Sequence, residues 1–115
     1  MNGKLPGLYA LALFFTLSPA QAASFDCKQA RAADEIAICT HGELGELDVK
    51  MATLYDVAQH LVGMGVRGDM QDRQHDFLTM RKACGKDISC LKKTYGQRID
   101  ALEQQLNAIY KGGPY

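Results

Sequence analysis

Gln74-His-Asp-Phe77-Leu78-Thr-Met-Arg81-Lys-Ala-Cys84, then Gly85-Lys-Asp87-Ile-Ser-Cys90-Leu91-Lys-Lys-Thr-Tyr95-Gly-Gln-Arg98, is the stretch whose reading decides the fold. Phe77, Leu78, Arg81 and Cys84 recur at helical spacing and share one face. On one continuous helix Cys84 and Cys90 would lie about 9 Å apart at a rise of ~1.5 Å per residue. A disulfide needs Cα atoms within about 7 Å. If these two cysteines pair, the helix breaks between them. Gly85 supplies the stop and Asp87 the next N-cap. The spacing therefore predicts an antiparallel helical hairpin cornered by sulfur, with the other segments packed against it.

Upstream of the corner, Leu44, Leu47, Met51, Leu54, Ala58 and Leu61 form one apolar seam at helical spacing, widened by Tyr55 and Val62. Thr40-His41-Gly42 breaks the chain before it. Gly63-Met-Gly-Val-Arg67-Gly68 is expected to be a flexible loop, with Asp69 capping a helix that carries Met70, Gln74, Phe77, Leu78 and Arg81 on one side. The last helix is expected over residues 88–111, with Leu91, Tyr95, Arg98 or Ile99, Leu102, Leu106 and Ile109 inward, ended by Gly112-Gly113-Pro114. No alternating strand pattern occurs. The fold class expected is all-α: a small disulfide-stapled bundle of three main helices plus a short N-terminal one.

Residues 1–22 read as a secretory signal peptide. Lys4 gives a positive start, Leu8 to Leu17 an apolar run, and Ala20-Gln21-Ala22 a small-x-small cleavage site. The run is too short for a membrane span. Phe25 and Asp26 before Cys27 exclude lipoprotein processing. The expected product is a periplasmic or secreted domain covering residues 23–115. Of 13 basic and 13 acidic residues in the chain only Lys4 leaves with the signal, so the mature net charge is about −1. That excludes a basic footprint for nucleic acid. Charge is nonetheless uneven: the segment from Asp26 to Asp56 is acid-rich and the remainder is base-rich.

Four cysteines in a small exported domain read as two disulfides. Three pairings are possible, and the local one, Cys27–Cys39 with Cys84–Cys90, is favoured. Cys27 and Cys39 would be about 18 Å apart on a straight helix, so the chain must reverse between them, with Asp34 capping a short helix from Asp34 to Cys39. Neither pair has the Cys-x-x-Cys spacing of a zinc site, and no metal or cofactor is expected. Enzyme readings fare no better. Ser24 and Ser89 lack a nucleophile elbow, His41, His60 and His75 stand apart, and oxidised cysteines offer no thiolate. Glu43, Glu46 and Asp48 lie on one helix turn and do not face one another across a cleft, as a glycosidase pair must.

Charges sit inside the apolar pattern: Asp48 follows Leu47 directly, and Arg81 and Arg98 fall among core positions. Such groups need partners. Asp48 is expected near Arg81 or Arg98, or to accept from the Tyr95 hydroxyl, as a structural polar network.

Phe25-Asp-Cys27, Glu35-Ile-Ala-Ile-Cys39, Leu44, Leu47-Asp48, Tyr55, Gln74-x-x-Phe77-Leu78-x-x-Arg81-x-x-Cys84 and Cys90-Leu91-x-x-x-Tyr95-x-x-Arg98, taken together, resemble the LprI-like lysozyme inhibitor N-terminal domain family of small exported bacterial domains. The resemblance runs from about Ser24 to Leu106. The family pattern usually carries Trp where this chain has Phe77. The resemblance implies a non-catalytic protein that binds c-type lysozyme, or another muramidase, and blocks its cleft. Such lysozymes are basic, so acids on one face would steer association. Asp34, Glu35, Glu43, Glu46 and Asp56 are the candidates for that face, and Arg67 on the glycine-flanked loop is the candidate plug for the carboxylate-lined cleft. The alternatives are a periplasmic structural or assembly accessory that binds an envelope protein, and an immunity protein against an exported muramidase.

Overall fold

A computed structural model describes residues 2–4, 7, 12–14 and 22–112. The expected export segment, residues 1–22, lies mostly outside them, as do Gly113 and Pro114. The described chain is all-helical. A 3-10 turn, Cys27–Gln29, leads to α1 (Ala33–Thr40), α2 (Gly42–Leu61), α3 (Met64–Cys84) and α4 (Ile88–Lys111). The three long helices and one short one match the expected architecture.

The corner at residues 84–90 forms as its sequence dictates. Gly85 takes φ +57°, a left-handed conformation that ends α3 at little cost only for glycine. Asp87 then caps α4, its carboxylate accepting from the Cys90 N–H at 3.0 Å. This reversal brings the Cα atoms of Cys84 and Cys90 to 5.6 Å, and the disulfide closes. At the other end, Cys27 pairs with Cys39 across 5.7 Å, tying the N-terminal segment to α1.

α4 is the central element and packs mainly along α2, with α3 against its other side. Leu91, Tyr95, Ile99, Leu102, Leu106 and Ile109 of α4 are buried with Ile38, Leu44, Met51 and Ala58 of the first two helices and Met70 and Phe77 of α3. Arg98 and Ile99 both point inward. Phe77 meets Tyr95 edge to face, ring centres 5.2 Å apart.

Asp34 does not cap α1, which begins at Ala33 with Ala32 as its N-cap; two further local readings are corrected. The 63–68 segment is not a loop: α3 begins at Met64, Gly63 is its N-cap, and only Val62 and Gly63 separate α2 from α3. Asp69 therefore lies inside the helix, where it pairs with Arg73 at 2.9 Å. Glycines at 65 and 68 each cost a helix about 1 kcal/mol relative to Ala. Arg67 offsets part of this by reaching back from α3 to the end of α2: its Nε donates to the Gln59 carbonyl at 2.8 Å and its Nη2 to that of Val62 at 3.2 Å. The last correction concerns the seam of α2. Its inner face is turned toward Asp48, which is wholly buried, while Leu47 and Leu54 are half-buried and Leu61 is exposed.

Candidate functional site

Two layers make up the site: a buried polar core and a groove above it. Asp48 is the hub of the core. Its Oδ1 accepts from the Tyr95 hydroxyl at 2.7 Å, with Arg81 Nη1 at 3.9 Å. Its Oδ2 accepts from both the backbone N–H and the hydroxyl of Ser24, at 2.7 and 2.6 Å. A buried carboxylate is tolerable only when its oxygens are met in this way. Arg81 in turn donates through Nε to Asp34 Oδ2 at 2.8 Å and lies over the Phe25 ring at 5.6 Å. One guanidinium on α3 thus links the acids of α1 and α2.

Beside this cluster, Arg98 Nε donates to Gln74 Oε1 at 3.0 Å, and the guanidinium lies 5.8 Å from the centre of the Tyr55 ring. Arg98 Nη2 is buried without a hydrogen-bond partner among the described residues. Burial, then the neighbouring Arg73 charge, lower the Arg98 pKa against a raising effect of Tyr55. Burial first, then the Asp48 charge and hydrogen bond, drive Tyr95 well above the ordinary tyrosine range, against Arg81. Tyr95 is therefore a fixed hydrogen-bond donor and does not ionise at neutral pH. For Arg81, burial pulls the pKa down, but Tyr95 and Asp34 outweigh it and the net shift is upward.

Between α1, α2 and α3 a groove of about 440 Å³ opens over this network. Ser24, Asp48, Gln74 and Arg81 line its inner wall; Phe25, Met51, Ala52, Tyr55 and Leu78 supply its apolar part. Glu35, Asp56 and Gln59 complete it. Asp56 is exposed and has only His60 nearby, at 3.6 Å.

The expected network of Asp48, Arg81, Tyr95 and Arg98 is brought into one region, with Arg98 held by Gln74 rather than by Asp48. The expected acidic face is not assembled as one surface. Asp34 is 2% exposed and committed to Arg81, because the first turn of α1 faces α3. Glu43 pairs with Lys92 at 2.7 Å. Glu46 lies on the far side of α2, beside Ala22 and Lys50. Of the five expected acids, Glu35 and Asp56 enter the groove. Ser24, Phe25 and the Gln74–Arg98 bond escape a reading of helical periodicity, since Ser24 and Phe25 precede any helix and glutamine amides carry no pattern.

The fold and site together define a disulfide-stapled helical domain with a groove over a buried polar core. No protein-family model, curated protein or solved structure matches the chain. Among the described residues no group of three or more His, Cys, Asp or Glu side chains is placed to hold a metal ion, and no helix is long and apolar enough to cross a membrane.

Proposed function

We propose that this chain is an exported, non-catalytic protein-binding domain of the lysozyme-inhibitor kind, which docks on a c-type lysozyme or a related muramidase and so protects peptidoglycan. The observation that carries the reading is the groove between α1, α2 and α3. Asp48, Tyr55, Gln74 and Arg81, four of the residues on which the family resemblance rests, line it together. Polar groups beneath it are tied across helices by Asp48 and Arg81, and the disulfides fasten the Ser24–Phe25 segment to α1 and the end of α3 to α4. A surface fixed in this way loses little conformational freedom when a partner docks, which favours tight association. The disulfides also suit an oxidising compartment, in keeping with export through the 1–22 segment.

A peptidoglycan turbidity assay with purified residues 23–115 tests the reading. Inhibition of hen egg-white lysozyme at micromolar or lower concentration is expected. Undiminished lysis by that enzyme and by bacterial muramidases overturns it.

A further inference from the structure

We infer that the α1–α2–α3 groove is built to receive a basic side chain, a lysine or arginine displayed by the partner protein, between Glu35 and Asp56. This rests on the protein-binding reading above and names the chemistry of its contact.

The charges of the groove are the first ground. Its lining carries three carboxylates, Glu35, Asp48 and Asp56, against one guanidinium, Arg81. Arg81 is already spent: Asp34 takes its Nε at 2.8 Å and Asp48 sits 3.9 Å from its Nη1. Asp48 is spent as well, on Tyr95 and Ser24. Glu35 and Asp56 stand outside that network, Asp56 with the exposed His60 ring at 3.6 Å. Glu35 is half-buried, yet it makes no hydrogen bond or ion pair among the described residues. A carboxylate partly withdrawn from water and without a partner attracts a cation more strongly than a fully solvated one.

The apolar part of the lining is the second ground. Met51, Ala52, Tyr55 and Leu78 lie in the same groove as the two acids. A lysine or arginine buries a methylene stem along apolar surface while its charged head stays at the wet edge, and this groove offers both. The groove beside Ala22 has a single acid, Glu46, with a lysine, Lys50, on the same wall. The slot between α3 and α4 holds Arg73 and Arg98 against a single acid, Asp76. The hollow beside α1 holds Lys86 and His41 with no carboxylate. Anionic partners such as nucleic acid or acidic lipid are disfavoured by the excess of carboxylates in the lining.

The test uses folded residues 23–115 labelled with nitrogen-15 and titrated with acetyl-Ala-Lys-Ala-amide. The expected result is saturable amide shifts at Glu35, Tyr55, Asp56 and Leu78. They should be absent with the norleucine counterpart, weakened about fivefold or more in the Glu35→Gln/Asp56→Asn double variant, and unchanged in Glu46→Gln. Both acids lie outside the buried network, so the double variant should keep the wild-type melting temperature. Shifts elsewhere, equal shifts with norleucine, or an unaffected double variant overturn the inference. Lysozyme inhibition is measured on the same proteins. Peptide binding without inhibition leaves this inference standing and removes the inhibitor reading. Inhibition that the double variant retains in full removes this inference alone.

Discussion

The Tyr95 hydroxyl donates to Asp48 Oδ1 at 2.7 Å, and this bond joins the N-terminal half of α4 to the N-terminal half of α2 in a region where neither side chain meets solvent. A hydrogen bond to a buried charge contributes about 1.5–3 kcal/mol. Tyr95→Phe removes it while keeping the ring that packs on Phe77. The expected loss of about 2 kcal/mol lowers the melting temperature by roughly 10 °C in a domain of this size. Asp48→Ala strands Ser24, Tyr95 and part of Arg81 together and should cost more, about 3–5 kcal/mol. Thermal unfolding followed by circular dichroism checks both. An Asp48→Ala protein that melts with the wild type contradicts the hub.

The same tyrosine predicts how stability responds to alkali. Its folded pKa lies above the ordinary value of 10.0 because of burial and then Asp48. Below that ordinary value both folded and unfolded chains hold the phenolic proton, and the contribution of Tyr95 is intact. Above it the unfolded chain releases the proton and the folded chain keeps it, so the folded state binds more protons and stability falls as pH rises. The urea midpoint should hold steady from about pH 7 to 9 and decline from about pH 10 upward, by as much as ~1.4 kcal/mol per pH unit from this group. In Tyr95→Phe the decline should be shallower. Equal declines in the two proteins place the alkaline sensitivity elsewhere.

Much of this arrangement is legible in the sequence because its causes are local. Gly85, Asp87 and the cysteine spacing dictate the corner, and the row from Leu91 to Ile109 dictates α4. The start of α3 is not legible, because Gly65 and Gly68 argue locally for a loop, and the guanidinium of Arg67, turned back onto α2, offsets part of that preference only once the fold has formed. Asp34 misleads for a related reason. An acid in a helix's first turn is usually solvated, and the arginine that draws it inward lies 47 positions away in the chain.

The two disulfides should contribute unequally. In the chain-entropy model each contributes roughly 2–3 kcal/mol, the larger loop slightly more, and their separations are 12 residues for Cys27–Cys39 and 6 for Cys84–Cys90. The first also holds Ser24 and Phe25 against Asp48 and Arg81. Cys27→Ala/Cys39→Ala should therefore lower the melting temperature more than Cys84→Ala/Cys90→Ala, and should raise hydrogen exchange at Ser24. A full set of free thiols in the native protein, or a melting temperature unmoved by reductant, contradicts both bridges.

Gly45 offers a test of the N-terminal junction. A Cβ there would collide with the Ala22 carbonyl oxygen, while the Ile38 carbonyl stays at an ordinary 3.5 Å. Gly45→Ala should destabilise a chain that retains Ala22 and displace the segment leading to Ser24. In a chain that begins at Ala23 the obstacle is gone. Alanine's helix preference should then raise stability by up to about 1 kcal/mol. Urea denaturation of the two forms reads the sign directly. The same sign in both removes Ala22 as the cause.

Phe77 is where the proposed kinship would place a tryptophan, and the chain has none. The side chain is 3% exposed, so the substitution concerns the core. A slot of about 210 Å³ lies beside it, bounded also by Asp76, Met80, Thr94, Gln97 and Ala101. Phe77→Trp should fill part of that slot. A buried indole N–H needs an acceptor, and Asp76 and Gln97 are the lining residues that carry one. The added apolar burial should leave stability unchanged or raise it by about 1 kcal/mol. The new indole is the sole one in the chain, so its emission reports the site without interference. A blue-shifted maximum with an equal or higher melting temperature is expected. A solvent-like maximum, or a loss above about 1 kcal/mol, means the ring cannot enter and that overpacking against Tyr95 decides the position.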